Sequence, residues 1–325
     1  MSATATAIRK NTGYIQVPKS ILGRLDRTSV DLFMKRGNSE PHVLYLGAGS
    51  PFSQERVNGL IDTFEEVLYV RAADYEAFSQ DLSISIEETL KEESLSAPER
   101  YQVLQFSASL EIEQAMRMVN CDRYVESTKN IGRLISSLLV EEDVLAADLF
   151  GIVRHDFQTF VHVTNVAGYA TLLAKELGIQ DSHELEQIAT GGLLHDIGKR
   201  HIPRSILVKS ETLTPKDWAV IRQHPQRGYE DLCQRDEIVH GQLMMTYQHH
   251  EHIDGSGYPV GVSGDEIHPW AQLLAVVDVF DALTGERPYR KPATAEQAIQ
   301  FIEGRAGTQF DKEIVQCWAS AMQQR

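Results

Sequence analysis

Cysteine is scarce in this chain of 325 residues. Cys121, Cys233 and Cys317 lie far apart and form no CxxC pair, which excludes a disulfide framework. Long apolar runs are missing too. Leu273 to Leu283 is the most apolar stretch, but Asp278 and Asp281 interrupt it, and it falls well short of the roughly 20 residues a membrane span needs. Met1 to Thr12 has no apolar core of the kind a signal peptide carries, so a soluble cytoplasmic protein is expected. Positive charge is also in deficit: 31 Lys and Arg stand against 46 Asp and Glu, a net charge of −15. That balance argues against gripping long nucleic acid, which needs a basic surface to neutralise phosphates. A small anionic substrate stays open if positive charge is concentrated locally, and metal ions could supply it.

Histidine is nearly absent from one part of the chain and abundant in the other. Only His42 precedes residue 150; the other eleven histidines run from His155 onward. With 42% hydrophobic and 24% charged residues the chain is ordinary globular material, long enough for about two domains. Residues 1–98 read as a small α/β unit. Val43-Leu44-Tyr45-Leu46 and Val67-Leu68-Tyr69-Val70 are β-prone, Gly47 to Pro51 is a turn, and helical pattern starts near Asp74. The GxG at Gly47–Gly49 lacks the rest of a phosphate-binding pattern, so a plain turn is the expectation. The acidic run through Glu87, Glu88, Glu92 and Glu93 reads as a solvated helix face. Residues 99–149 read as a helical connector, with Ile131, Leu134, Ile135, Leu138 and Leu139 at helical spacing and no chemistry-bearing cluster. A homodimer through this stretch is a candidate assembly. From 150 to 325 the chain is expected to be an all-helical bundle, so the whole is mainly α.

The chemistry-bearing residues fall in that last part. His162 lies in a long helical pattern, His195-Asp196 follows Leu193-Leu194, and Lys199 comes four residues after His195. His224 precedes Pro225 and so belongs near a helix end. His249 and His250 are adjacent. Asp278 sits in an apolar helix, where an unpartnered carboxylate costs several kcal/mol. A single helical histidine is an ordinary surface or core residue, but this set together points to a metal site. A His-Asp dipeptide splays its side chains about 100° apart on a helix, so the carboxylate can bridge two ions. Two ions about 3.5–4 Å apart can hold a phosphoryl group and convert a water to hydroxide near neutral pH. His155-Asp156, without a Lys at the same offset, serves as a control and reads as a non-ligand.

The ordered set His195-Asp196-Ile197-Gly198-Lys199, His249-His250-Glu251 and Asp254-Gly255-Ser256-Gly257-Tyr258-Pro259 closely resembles the HD-GYP phosphodiesterases of the HD superfamily. The resemblance runs from about residue 150 to 315 and includes Pro203, His224-Pro225, Asp278 to Leu283 and Arg287-Pro288-Tyr289-Arg290. It implies hydrolysis of cyclic di-GMP to linear pGpG, and in many members on to GMP, by a metal-activated hydroxide. It implies His162, His195, Asp196, His224, His249, His250 and Asp278 as metal ligands, with Asp196 bridging two ions. Iron is the implied metal and manganese an active substitute. Lys199 would contact the scissile phosphate. Tyr258, Gly257 and Pro259 would shape the substrate pocket, with Arg287 and Arg290 recognising phosphate or guanine. Gly255 and Gly257 are expected to serve unusual dihedral angles in the loop. That loop is also an expected meeting surface for GGDEF (diguanylate cyclase) domains.

One position departs from the family pattern. Three-metal members carry Glu four residues before the first ligand His; here Gln158 stands there. A neutral amide cannot balance a third cation, so a two-metal centre and inefficient conversion of pGpG to GMP are expected. Residues 1–98 resemble no sensor family and are expected to be regulatory. Two rival readings remain: a low-activity cyclic dinucleotide receptor or scaffold, and a phosphodiesterase for another cyclic dinucleotide such as cyclic GMP-AMP.

Overall fold

A computed structural model describes residues 14–17, 28–35, 41–51, 67–71, 73–74, 77–78, 95–117, 121–142, 144–152, 159–207, 209, 211–285 and 291–323. The chain is mainly α and divides into two compact units between Ser94 and Leu95. Among the described residues the smaller unit has four short strands, β1 (Tyr14–Val17), β2 (Leu32–Lys35), β3 (Val43–Leu46) and β4 (Val67–Arg71). They form one antiparallel sheet in the order β1-β4-β2-β3. Because strand side chains alternate between faces, Leu68 and Val70 share one face with Leu32, and all three are fully buried. The turn expected after β3 is present: the Ser50 N–H donates to Gly47 O at 3.2 Å, and Gly49 takes a left-handed φ of 76°. The helix expected from Asp74 and the acidic run at Glu87 lie almost wholly outside the described residues.

Among the described residues the larger unit is built of helices joined by loops and turns. Its helices are α1 (Ala97–Arg117), α2 (Cys121–Glu141), α3 (Ala146–Ile152), α4 (Thr159–Glu176), α5 (Ser182–Leu194), α6 (Arg204–Leu207), α7 (Pro215–Ile221), α8 (His224–Leu232), α9 (His240–Gln248), α10 (Pro269–Thr284), α11 (Ala295–Glu303) and α12 (Lys312–Ala321). A short 3-10 helix, Ile197–His201, follows α5. Helix α2 packs on α5 and α1 on both α2 and α4, so the stretch 99–149 belongs to this unit. The apolar stripe of α2 is buried through Ile131, Ile135, Leu138 and Leu139. Helix α10 is buried on nearly every side, from Ala271 through Asp281. Phe280 of α10, Tyr169 of α4 and Trp318 of α12 meet edge to face, with centroids 5.2–5.6 Å apart. No helix among the described residues is long and apolar enough to cross a membrane.

Two glycines set the distances that matter for chemistry. A Cβ on Gly192 would lie 2.7 Å from Ala167 Cα, so α4 and α5 touch backbone to backbone beside His162 and His195. A Cβ on Gly198 would lie 1.9 Å from His224 O, so the 3-10 helix is pressed onto the first turn of α8. Bulkier residues at either point would hold these elements, and the histidines they carry, apart.

Candidate metal centre

Six elements deliver side chains to one buried point. His162 comes from α4. His195 caps the C-terminus of α5, and Asp196 begins the 3-10 helix. His224 is the first residue of α8, with Pro225 in its first turn, where the missing proline N–H costs no helical hydrogen bond. His249 caps α9 and His250 follows it, while Asp278 projects from α10. His162, His195, Asp196, His224, His249 and Asp278 are all buried, and His250 is partly exposed.

The ligand-type atoms form two groups. His162, His195 and Asp196 offer atoms all within 4.8 Å of one another, and so do His224, His249 and His250. Asp196 lies between them: its Oδ2 is 3.3 Å from His195 Nε2 and its Oδ1 is 3.3 Å from His224 Nε2. Asp278 Oδ1 adds to the first group, 3.1 Å from His162 Nε2. His224 and His249 approach Nε2 to Nε2 at 3.2 Å.

The opposite ring nitrogens show why Nε2 faces inward. His195 Nδ1 donates to Gly192 O at 2.7 Å, His224 Nδ1 to Ile221 O at 2.8 Å, and His249 Nδ1 to Met245 O at 2.9 Å. His162 Nδ1 donates to Asp281 Oδ2 at 2.7 Å. A carbonyl or carboxylate on Nδ1 fixes the proton there and leaves Nε2 as a lone-pair donor, the arrangement metal-binding histidines use. His195 Nε2 and Asp196 Oδ1 are buried with no hydrogen-bond partner. Such atoms are costly unless something accepts their lone pairs, and a divalent cation does. The residue set therefore fits a divalent metal centre.

Protonation states agree for His224, His249 and His250. Burial lowers the pKa of His224 to about 4 and of His250 to about 3, and takes His249 well below its ordinary value. Burial opposes ionisation of Asp196 and Asp278, yet Lys199 and His195 hold the first, and His162 the second, below the carboxylate range. His162 goes the other way: burial opposes its charge, but hydrogen bonds to Asp278 and Asp281 raise it to about 9.

These shifts set a stability profile for the chelator-treated protein. The three lowered histidines take up protons in the unfolded chain first, so stability falls as pH drops from about 6.5 toward 4. His162 contributes stability that is complete below about pH 6.5 and is lost as pH rises toward 9. Each proton is worth about 1.4 kcal/mol per pH unit. The melting temperature should peak near pH 6.5 with the steeper limb on the acid side. A flat profile between pH 4 and 7 would remove the assignment of three neutral histidines.

Lys199 places its ammonium on Asp196 Oδ2 and is 21% exposed, at the edge of the site. The Tyr258 ring stacks on His250 with centroids 4.8 Å apart, and the Arg222 guanidinium lies 5.3 Å from the Tyr258 ring. Gly255 has the expected positive φ of 77°. Gly257 does not. It is required for another reason: a Cβ there would lie 2.5 Å from Glu251 Cα and 2.4 Å from His252 N. Pro259 continues the same loop and is partly buried. Arg287, Arg290, Gln158 and the His155-Asp156 control lie outside the described residues.

Three contributors carry no role in the sequence reading. Asp281 holds His162 from behind, and Asn165 Nδ2 donates to Asp281 Oδ1 at 2.8 Å. The usable signal was spacing, since Asp278 and Asp281 are three apart and so share a face of an apolar helix. Buried Glu251 accepts from Val260 N at 2.8 Å and Gly261 N at 3.0 Å, tying the Tyr258 loop to the end of α9.

Residues 140–314 match the HD domain family, and the chain belongs to it. It is 35% identical over 176 residues to the cyclic di-GMP phosphodiesterase response regulator RpfG of Xanthomonas campestris, covering 54% of this chain and 46% of that protein. It is 36% identical over 160 residues to 3'3'-cGAMP-specific phosphodiesterase 2 of Vibrio cholerae, covering 49% of this chain and 30% of the relative. The chain thus spans under half the length of these curated relatives. The solved structure of Bd1817, a HDG"Y"P protein from Bdellovibrio bacteriovorus, matches 96% of this chain and 100% of its own with a TM-score of 0.69. At 20% identity that likeness shows the fold alone.

Proposed function

We propose that this chain is a divalent-metal-dependent phosphodiesterase that hydrolyses cyclic di-GMP to linear pGpG. One observation carries the reading: the two oxygens of Asp196 face two separate groups of ligand atoms, each 3.3 Å from a histidine Nε2. That is the arrangement a pair of metal ions and a phosphodiester require. The names of the relatives supply the substrate class, RpfG among them. His162, His195, Asp196, His224, His249, His250 and Asp278 would hold two ions, with iron as the resident metal and manganese as a substitute. When bound, such ions supply Lewis acidity toward a phosphoryl oxygen and a water acidic enough to react near neutral pH.

The rest falls to the chain's own side chains. The Nδ1 hydrogen bonds hold the rings of His162, His195, His224 and His249 so that no reorientation is needed during reaction. Lys199, partly exposed beside Asp196, meets a phosphate oxygen and stabilises the negative charge that builds on it. Tyr258 offers a ring face beside His250 against which a nucleobase can pack. Gln158, neutral where a third ion needs a carboxylate, limits the centre to two ions and the product to pGpG. In this reading residues 1–98 form a regulatory domain, the Tyr258 loop meets GGDEF domains, and the protein works in the cytoplasm.

A second substrate has support of its own, since one relative is named as specific for 3'3'-cGAMP. Anaerobic incubation of Fe(II)- or Mn(II)-loaded protein with cyclic di-GMP and 3'3'-cGAMP in parallel, followed by chromatography, separates the readings. The expected product is pGpG, with little GMP. Cleavage of 3'3'-cGAMP alone reassigns the substrate. Binding of cyclic di-GMP without cleavage replaces the enzyme by a receptor.

A further inference from the structure

Helix α1 lies wholly before the matched region 140–314, yet it reaches the metal centre through a buried chain of hydrogen bonds. Gln105 Nε2 donates to Asn165 Oδ1, Asn165 Nδ2 donates to Asp281 Oδ1 at 2.8 Å, and Asp281 Oδ2 accepts from His162 Nδ1 at 2.7 Å. All four side chains are at most 3% exposed. The helix is held in place on either side of Gln105. Tyr101 OH donates to Thr164 O at 3.1 Å, and Ser109 Oγ lies 3.4 Å from Thr164 Oγ1. Tyr101, Gln105 and Ser109 are spaced four apart and so form one stripe facing α4.

We propose that Gln105 is a positioning residue for the metal ligand His162, acting through Asn165 and Asp281. An ionised carboxylate only accepts hydrogen bonds. Asp281 therefore needs the NH2 end of Asn165, not its carbonyl. Either end of a primary amide fits the same space, so something must choose between them. Gln105 chooses by presenting an N–H to the Asn165 oxygen, which turns the Asn165 nitrogen toward Asp281. Asp281 is then held with its second oxygen on His162 Nδ1, and Nε2 stays aimed between Asp196 and Asp278. Outer partners of this kind change metal affinity by about 10- to 100-fold when removed. Because α1 begins three residues after the smaller unit ends at Ser94, the relay gives the first helix of the larger unit a direct hold on one metal ligand.

The proposal rests on His162 being a metal ligand and is independent of which dinucleotide is cleaved. Its test is a Co(II) titration of the full chain, read by visible absorption and by equilibrium metal content. Gln105→Leu keeps the volume and removes the N–H. Gln105→Met keeps the unbranched shape and likewise removes the N–H, giving a second variant should the leucine fail. The expected result is two Co(II) ions in the wild type and, in each variant, one ion weakened about 10- to 100-fold with an altered spectrum while the other is unchanged. Two ions bound with wild-type affinity and spectrum in both variants overturn the role of Gln105. Loss of both ions in equal measure, tracking a lowered melting temperature, reduces Gln105 to a packing residue and also overturns it. A wild type that binds no Co(II) sinks the metal centre itself, which separates that failure from this one.

Discussion

Asp196→Ala should sharply reduce both metal binding and turnover, the largest effect expected of any single substitution in the chain. The carboxylate is shared, with one oxygen 3.3 Å from His195 Nε2 and the other 3.3 Å from His224 Nε2. In the proposed two-ion centre, removing it would take one ligand from each ion at once. The loss is not repaired by a neighbour, because Asp278 contacts the His162 and His195 side. It also leaves Lys199, whose ammonium rests on Asp196, without its counter-ion. The expected fall in kcat is about 10³-fold, equivalent to about 4 kcal/mol of transition-state stabilisation. Metal analysis should show fewer than one ion per chain. Asp196→Asn, which keeps the shape and loses the charge, separates the two contributions. A variant that keeps both ions and a tenth or more of the activity would dismiss the bridging role.

Gly198→Ala should rank second, although it adds only a methyl group and touches no proposed ligand side chain. The added Cβ would meet His224 O at 1.9 Å and Gly228 N at 2.6 Å. Both are backbone atoms of α8, so no side chain can rotate out of the way. The 3-10 helix must lift from α8, and Asp196 at its start must move away from His224 at the start of α8. Forced overpacking of this kind costs about 1–3 kcal/mol and sometimes more. Denaturant melts should place Gly198→Ala at or beyond the upper end of that range, with metal occupancy reduced in step. Gly151→Ala is the control: a Cβ there meets nothing within 4 Å. It should leave stability unchanged or slightly raised, since alanine suits a helix better than glycine. Equal melts for the two variants would mean that the close approach at Gly198 is not what holds the centre together.

Much of the site was legible because its chemistry needs rare residue types in unusual places. A carboxylate in the middle of Leu273 to Leu283 has no apolar explanation, and adjacent His-Asp and His-His pairs are uncommon enough to stand out. What stayed hidden was support of ordinary spelling. Gln105, Asn165 and Glu251 are residue types found on any surface, and nothing in their local pattern separates a buried relay from a solvated side chain. The stretch 99–149 read as chemically inert for that reason, yet it contributes Gln105. Gly257 was read as a turn residue because turns are where adjacent glycines usually belong. Its actual constraint, a backbone 2.5 Å from where its Cβ would be, is a contact with the chain six residues earlier at Glu251.

The sequence by itself determined the helical class of the larger unit, through apolar spacing, and singled out the donor set proposed for the metal centre, through residue type. It also placed His224 near a helix end, through Pro225, and the structure makes that end the start of α8. Only the tertiary structure decided how those donors divide into two groups, that Asp196 faces both, and which atom of each histidine points inward. The physical reason is that these are questions of distance and direction between elements far apart in the chain. They are settled by close backbone contacts at Gly192 and Gly198 and by hydrogen bonds spanning more than a hundred residues, such as His162 to Asp281.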